Sequence, residues 1–145
     1  MWRIWKLYDP LRALVVQVGV EIEGLFYKQK TAYEVGWYTG SSRPGENGAM
    51  VVDGHVQGVG GGAIFTNLNK LARGDKLKVV RGDGKEFSYT VQSTETVAVQ
   101  SVDMARLLVS ADAARPGLNL ITCGGTFDNR ADTYTDRTIV YTLQD

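Results

Sequence analysis

The sequence is poor in the residues that carry nucleophilic and metal chemistry. Among its 145 residues there is one cysteine, Cys123, and one histidine, His55. A single cysteine excludes an intramolecular disulfide, so the fold must be held together by its core alone. One Cys and one His cannot supply the three or four ligands of a typical zinc site. We therefore expect no metal centre and no cofactor.

Net charge and long apolar runs are also lacking. Sixteen Lys and Arg balance sixteen Asp and Glu, so no positive excess attracts nucleic acid. The run at residues 14–16 is far shorter than the roughly 20 apolar residues of a membrane span. The first eight residues lack the apolar core of a signal peptide. We expect residues 1–11 to form an N-terminal arm or linker stub and residues 12–145 to form one domain.

Seventeen glycines against three prolines, with many alternating apolar and polar residues, favour a β-rich fold. Seven or eight strands are expected in one closed or nearly closed β-barrel, with short helices in the connections only. The expected strands are residues 16–22, 49–52, 76–81, 85–92, 94–99, 118–123 and 137–143; helical turns are expected at 64–71 and after the N-cap Asp103, and an ordered loop at 33–48.

The two rare residues each lie beside glycine at the end of an expected strand, in Asp53-Gly54-His55 and Thr122-Cys123-Gly124-Gly125. The last two strands follow each other in sequence, and such strands most often pair antiparallel, which makes Cys123 and Arg137 neighbours. Together these residues could form a cysteine-dependent acyl-transfer site. A buried structural cysteine and a solvated histidine are the plain alternatives, and Arg130 is a rival to Arg137.

Three ordered segments resemble the sortases of Gram-positive bacteria. They are residues 47–55, ending in Asp53-Gly54-His55, residues 120–128 around Ile-Thr-Cys-Gly-Gly, and residues 137–141, Arg-Thr-Ile-Val-Tyr. More narrowly, Gly36-Trp37-Tyr38 and the Cys-Gly-Gly sequence are similar to class F. The resemblance runs from about Arg12 to Leu143.

The resemblance implies a single closed eight-stranded sortase-type β-barrel and a cysteine transpeptidase. Such an enzyme cleaves a Leu-Pro-x-Thr-Gly type sorting signal between Thr and Gly and passes the acyl group to an amine. By position, Cys123 corresponds to the nucleophile, His55 to the general acid and Arg137 to the oxyanion-stabilising residue. Thr122, Leu107, Leu108 and Val109 correspond to the substrate-binding region, although plain core packing is an alternative for the last three.

The resemblance also implies partners and a location. These are protein substrates bearing a C-terminal sorting signal, an amine acceptor such as a peptidoglycan precursor, and the extracellular face of the cell membrane. Natural sortases carry an N-terminal membrane anchor, which we expect to be absent from this chain, and we expect a monomer. A hydrolase of the same fold and a non-catalytic peptide-binding module remain alternatives. Asp128, Asp132 and Asp136 offer a calcium site or, alternatively, a solvated acidic loop.

Overall fold

The computed structural model describes residues 4–9, 13–18, 35–38, 40–81 and 84–145; for 4–9 and 13–18 it gives the strands and their pairing. The strands are β1 (Ile4–Asp9), β2 (Ala13–Val18), β3 (Val35–Trp37), β4 (Ala49–Gly54), β5 (Gln57–Gly58), β6 (Gly61–Gly62), β7 (Lys76–Val80), β8 (Glu86–Ala98), β9 (Gly117–Asp128) and β10 (Thr133–Gln144). The helical elements within the described ranges are one short helix, α1 (Met104–Leu107), and two 3₁₀ turns, Leu68–Lys70 and Val99–Ser101.

Eight of these strands form one curled sheet in the order β1, β2, β7, β8, β10, β9, β4, β3. The prediction of a mainly β fold is confirmed. Full closure is not, because among the described residues the two ends of the sheet, β1 and β3, share a single residue pair, Ile4 with Val35. The three described residues of β3 pair mainly with β4, which leaves little pairing across this seam. β1 itself lies within the segment expected as an arm or linker stub.

Side chains alternate between an inner face, toward the axis of the curled sheet, and an outer face. On β9, Leu118 and Leu120 are fully buried in the larger, inner hydrophobic cluster. On the outer face, Val51 and Ile139 pack in a second cluster together with Leu107 of α1. Both faces of β9 and β10 are therefore covered at residues 117–120 and 138–143, where every position is buried.

The prediction of a separate strand at residues 94–99 was wrong, because β8 runs continuously from Glu86 to Ala98. Its register against β10 shifts between Tyr141 and Thr142, so that Gln92 is an extra residue. Such a bulge moves the following residues to the other face. Tyr89 and Val91 therefore point inward, whereas Val97 packs on the outer face.

The helix expected at residues 64–71 is reduced to the 3₁₀ turn Leu68–Lys70. The N–H of Phe65 donates to the carbonyl of His55 at 3.0 Å. The hydroxyl of Thr66 donates to Val56 O at 2.7 Å and accepts from Ala63 N at 2.6 Å. Because these groups bond back to the chain after β4, no α-helical ladder starts here. The Asp103 N-cap of α1 is confirmed, since its carboxylate accepts from the N–H of Arg106 at 3.0 Å.

The segment between the last two expected strands, residues 124–136, is mostly strand as well, since β9 continues to Asp128 and β10 begins at Thr133. The ladder shifts register between Tyr134 and Asp136, and Gly125 there has φ +71°. This is the geometry of a bulge that uses a left-handed glycine. Within the loop expected at 33–48, residues 35–37 form β3. Residues 19–22 of the first expected strand lie outside the described residues, as do Gly82 and Asp83 between the expected strands 76–81 and 85–92.

We predict that Gly125→Ala destabilises the protein more than Gly74→Ala. Gly74 also has a positive φ, +95°, but open space around it, so alanine there carries only the left-handed strain of about 1–2 kcal/mol. At Gly125 a methyl group would also overlap Thr135 Oγ1 and lie 2.6 Å from Asp136 Oδ2. Urea unfolding of the two variants measures the difference, and equal losses would contradict this account of the bulge.

Candidate active site

β9 lies between two strands whose registers fix the neighbours of Cys123. It runs parallel to β4, with Asp53 beside Ile121, and antiparallel to β10, with Arg137 directly opposite Cys123. One residue beyond the Asp53–Ile121 pair, Thr122 Oγ1 donates to Gly54 O at 2.6 Å. The next residues along the chain are His55, directly after β4, and Cys123 of β9.

Cys123 and Arg137 share one face of the sheet, because directly opposed residues of an antiparallel ladder project to the same side. That face also carries Ile121 and Ile139, so it is the outer face. The alternation along β4 from Val51 leads to the same face at His55. His55 is exposed, and the other two residues are half-buried. The expected proximity of Cys123 and Arg137 is therefore confirmed, and the parallel pairing brings His55 to the same row.

The Arg137 guanidinium is held along the start of β10. Its Nη1 donates to Asp136 O at 2.8 Å and Tyr134 O at 3.1 Å, and its Nη2 donates to Thr133 Oγ1 at 3.1 Å. Arg130 lies in the turn at the far end of the β9–β10 hairpin, where its own N–H donates to Asp128 Oδ1. Only Arg137 of these two arginines is in register with Cys123.

A cleft of about 400 Å³ opens beside Cys123 on the inner side of the sheet. Its sheet side includes the threonine row, which we define as Thr96, Thr122 and Thr138, one on each of β8, β9 and β10. The Oγ1 atoms of Thr96 and Thr138 are 3.0 Å apart. The remaining lining residues are Val56, Gln57, Gly61, Gly62, Phe65, Thr66, Asn69, Cys123, Gly124, Gly125 and Tyr134, and none of them is charged.

Two hairpins meet over this cleft, and the sequence patterns did not identify their contact. Tyr134 of β10 donates its phenol hydrogen to Gln57 Oε1 of β5 at 2.8 Å. The Tyr134 ring also stacks edge-to-face with Phe127 of β9, with 5.3 Å between the ring centres. Gln57 and Tyr134 are 77 residues apart in sequence. No local pattern links two residues so distant along the chain.

A sortase domain model matches residues 11–145, nearly the whole chain. The chain belongs to the sortase family. None of the curated proteins matches it significantly. Among the described residues no helix is long and apolar enough to cross a membrane.

Solved sortase structures share the fold of this sortase domain. Sortase A from Corynebacterium diphtheriae is 20% identical, with a TM-score of 0.72, and the match covers 100% of this chain and 60% of that one. Sortase C-1 from Actinomyces oris is 27% identical, with a TM-score of 0.61, 77% of this chain and 58% of the other being covered. A pilus-related sortase C of Group B Streptococcus is 21% identical, with a TM-score of 0.68, and the match covers 99% of this chain and 67% of that one. The sortase domain thus spans about three fifths of the first of these proteins.

The residues expected to bind substrate differ widely in exposure within the sortase domain. Thr122 is 5% exposed, and its hydroxyl is bonded to Gly54 O. Leu107 is fully buried in the outer cluster, which favours the core-packing alternative for this residue. Leu108 is half-buried against the same cluster, whereas Val109 is 55% exposed. Of the three consecutive residues, Leu108 and Val109 are therefore the ones with exposed side-chain surface.

A polar cluster fastens α1 of the sortase domain onto the outer face. Arg106 Nη1 lies 3.2 Å from both carboxylate oxygens of Glu95, and its guanidinium carbon lies 4.3 Å from the centre of the Tyr141 ring. Tyr141 in turn donates its hydroxyl hydrogen to Glu95 Oε1 at 3.1 Å. The cluster joins the segment before Leu107 to β8 and β10.

The expected alternative of a calcium site at the hairpin is not supported. Within the described part of the chain, no three His, Cys, Asp or Glu side chains gather so that they could hold a metal ion. Asp128 instead accepts the N–H groups of Arg130 and Ala131 in the turn between β9 and β10. This carboxylate therefore serves to shape the hairpin.

We predict that Tyr141→Phe changes the stability of the sortase domain in a pH-dependent way. Burial, reinforced by the hydrogen bond to Glu95, raises the pKa of Tyr141 to about 12. A raised pKa contributes stability below the ordinary tyrosine pKa of about 10, and this contribution is lost as the pH rises toward 12. The difference in unfolding free energy between wild type and variant should therefore shrink across that window. A constant difference would contradict this assignment.

Proposed function

We propose that this sortase domain is a cysteine transpeptidase that uses Cys123, His55 and Arg137. The observation that carries the proposal is their position on β9, after β4 and on β10, in one row and on one face of the sheet. A nucleophile, a proton donor and a fixed cation in one row are the groups that acyl transfer through a thioester requires.

In the acylation step, the Cys123 thiolate attacks the carbonyl carbon of a threonine in the bound peptide, because thiolate is the nucleophilic form of cysteine. The C–S bond forms, and the carbonyl electron pair moves to oxygen. Arg137 faces the resulting oxyanion. As the intermediate collapses, the C–N bond breaks, and protonated His55 gives its proton to the departing glycine amine. The products are a Cys123 thioester and a free amino-terminal glycine peptide.

In the second step an amine attacks the thioester carbon, His55 takes its proton, and the Cys123 thiolate leaves. The cleft beside Cys123 supports a route for this amine. Its uncharged lining of glycines and hydroxyls accepts a small neutral peptide chain close to the nucleophile. Water entering the same cleft would give a hydrolase instead, and a peptide that binds without reaction would make the domain a binding module.

The substrate class, the acceptor and the class F assignment are part of this proposal. We infer a sorting signal of Leu-Pro-x-Thr-Gly type at the C-terminus of a surface protein, and a peptidoglycan precursor as acceptor, at the extracellular face of the membrane. Gly36-Trp37-Tyr38 and Cys123-Gly124-Gly125 are the residues that support class F. We further propose that the domain acts as a monomer.

A fluorogenic Leu-Pro-x-Thr-Gly peptide, incubated with and without triglycine, tests the reaction. We expect cleavage between Thr and Gly, and mass spectrometry should find the triglycine adduct. Cys123→Ala should abolish cleavage, and His55→Ala should remove most of it, with both variants unfolding at the wild-type midpoint. Acid product alone, even with triglycine, would indicate a hydrolase. Peptide binding without cleavage would indicate a binding module, and unchanged cleavage by Cys123→Ala would overturn the mechanism.

Two arginine variants test the oxyanion role. Arg137→Ala should lower kcat/KM for the same peptide by about 10²–10³, the usual effect of removing an oxyanion donor. Arg130→Ala is the matched control, because it removes the same charge from the far end of the hairpin, and it should change kcat/KM less than twofold. The opposite ranking of the two variants would assign the role to Arg130.

A further inference from the structure

Asn119 is a buried polar residue in the middle of an apolar strand. It lies on β9 with no exposed surface. Its side-chain Nδ2 donates to Leu107 O at 2.8 Å and to Val109 O at 3.1 Å. The two acceptors flank Leu108, so one amide group holds both sides of this residue.

Asn119 and Cys123 belong to the same strand and face the same side of it. Four residues at about 3.3 Å each place them about 13 Å apart along β9. Ile121, between them, is half-buried and belongs to the outer cluster together with Leu108. An extended peptide acylated on Cys123 and running parallel to β9 would place its fourth residue from the thioester beside Asn119, near Leu108 and Val109.

We propose that Asn119 is a positioning residue that sets the distance between the nucleophile and the apolar wall formed by Leu108 and Val109. By this distance it selects the side chain at the first position of the signal. The inference rests on the proposed function. Asn119 does not touch the reacting atoms; it acts by fixing residues 107–109 to the strand that carries Cys123.

A purely structural role would not need this arrangement. The segment is already fastened at its start by the Asp103 cap and by the Arg106 cluster with Glu95 and Tyr141. The Oδ1 of Asn119 is buried without a hydrogen-bond partner. Burying an unpaired amide oxygen is unfavourable, so an apolar residue would suit a strand that only had to pack. The donor function toward the two carbonyl groups explains the asparagine.

The test compares Asn119→Ala and Asn119→Leu with wild type on two peptides, Leu-Pro-x-Thr-Gly and Ala-Pro-x-Thr-Gly. We expect KM for the leucine peptide to rise about tenfold in both variants, as the loss of such hydrogen bonds implies, with kcat within about twofold. The preference for leucine over alanine should fall by a similar factor. Asn119→Leu keeps the side-chain volume, so it serves if Asn119→Ala does not fold.

Thr142→Val is the matched control. Thr142 is also fully buried, and its hydroxyl donates to Leu118 O at 2.8 Å, away from residues 107–109. It should lose comparable stability and keep the leucine preference. Hydrogen exchange should accelerate at the amides of Leu108 and Val109 in the Asn119 variants only. Wild-type selectivity in the Asn119 variants would overturn the inference alone, whereas a wild type that cleaves neither peptide would overturn the proposed function and, with it, the substrate role of Asn119.

Discussion

The register of β9 between β4 and β10 is the constraint on which the candidate site depends. Leu118 and Leu120 must face the inner cluster, and a slip by one residue would turn both of them outward and Cys123 inward. The burial of two leucines thus fixes the orientation of the thiol. The Thr122 hydroxyl bond to Gly54 O then fixes β4 against β9 one residue before His55 and Cys123. The packing of the core therefore also determines the geometry of the site.

In the proposed mechanism the two faces of the sheet have different roles. The outer face carries the row of Cys123 and Arg137, with the wall of Leu108 and Val109 further along, and it suits an extended peptide. The inner face opens into the cleft at the threonine row. Gly124 and Gly125 connect the two sides: a Cβ at Gly124 would lie 3.1 Å from Thr138 Oγ1, and Gly125 adopts φ +71°. Of the two glycines after the cysteine, Gly125 is therefore explained by the bulge and Gly124 by the close approach of Thr138.

Local pattern predicted part of this arrangement. Cys123 and Arg137 lie on consecutive strands, so a hairpin was enough to make them neighbours. The placement of His55 in the same row depends on parallel pairing between β4 and β9, which lie more than sixty residues apart, and only the family resemblance pointed to it. The spacing of Ile64, Phe65, Leu68 and Leu71 indicated a helix because periodicity does not reveal that Phe65 bonds back to His55. Asn119 was visible as a polar residue in an apolar strand, but its partners in residues 107–109 were not.

The hydrogen bonds of the Arg137 guanidinium explain how one cation could stabilise first the Cys123 thiolate and then the oxyanion of the proposed reaction. Its three acceptors, two backbone carbonyls and the Thr133 hydroxyl, are all uncharged. A carboxylate partner would orient the guanidinium but would also offset its charge. Neutral acceptors orient it without offsetting its charge. In the proposed mechanism the site therefore holds its cation in place before charge develops on the substrate, so that little reorganisation is needed during the reaction.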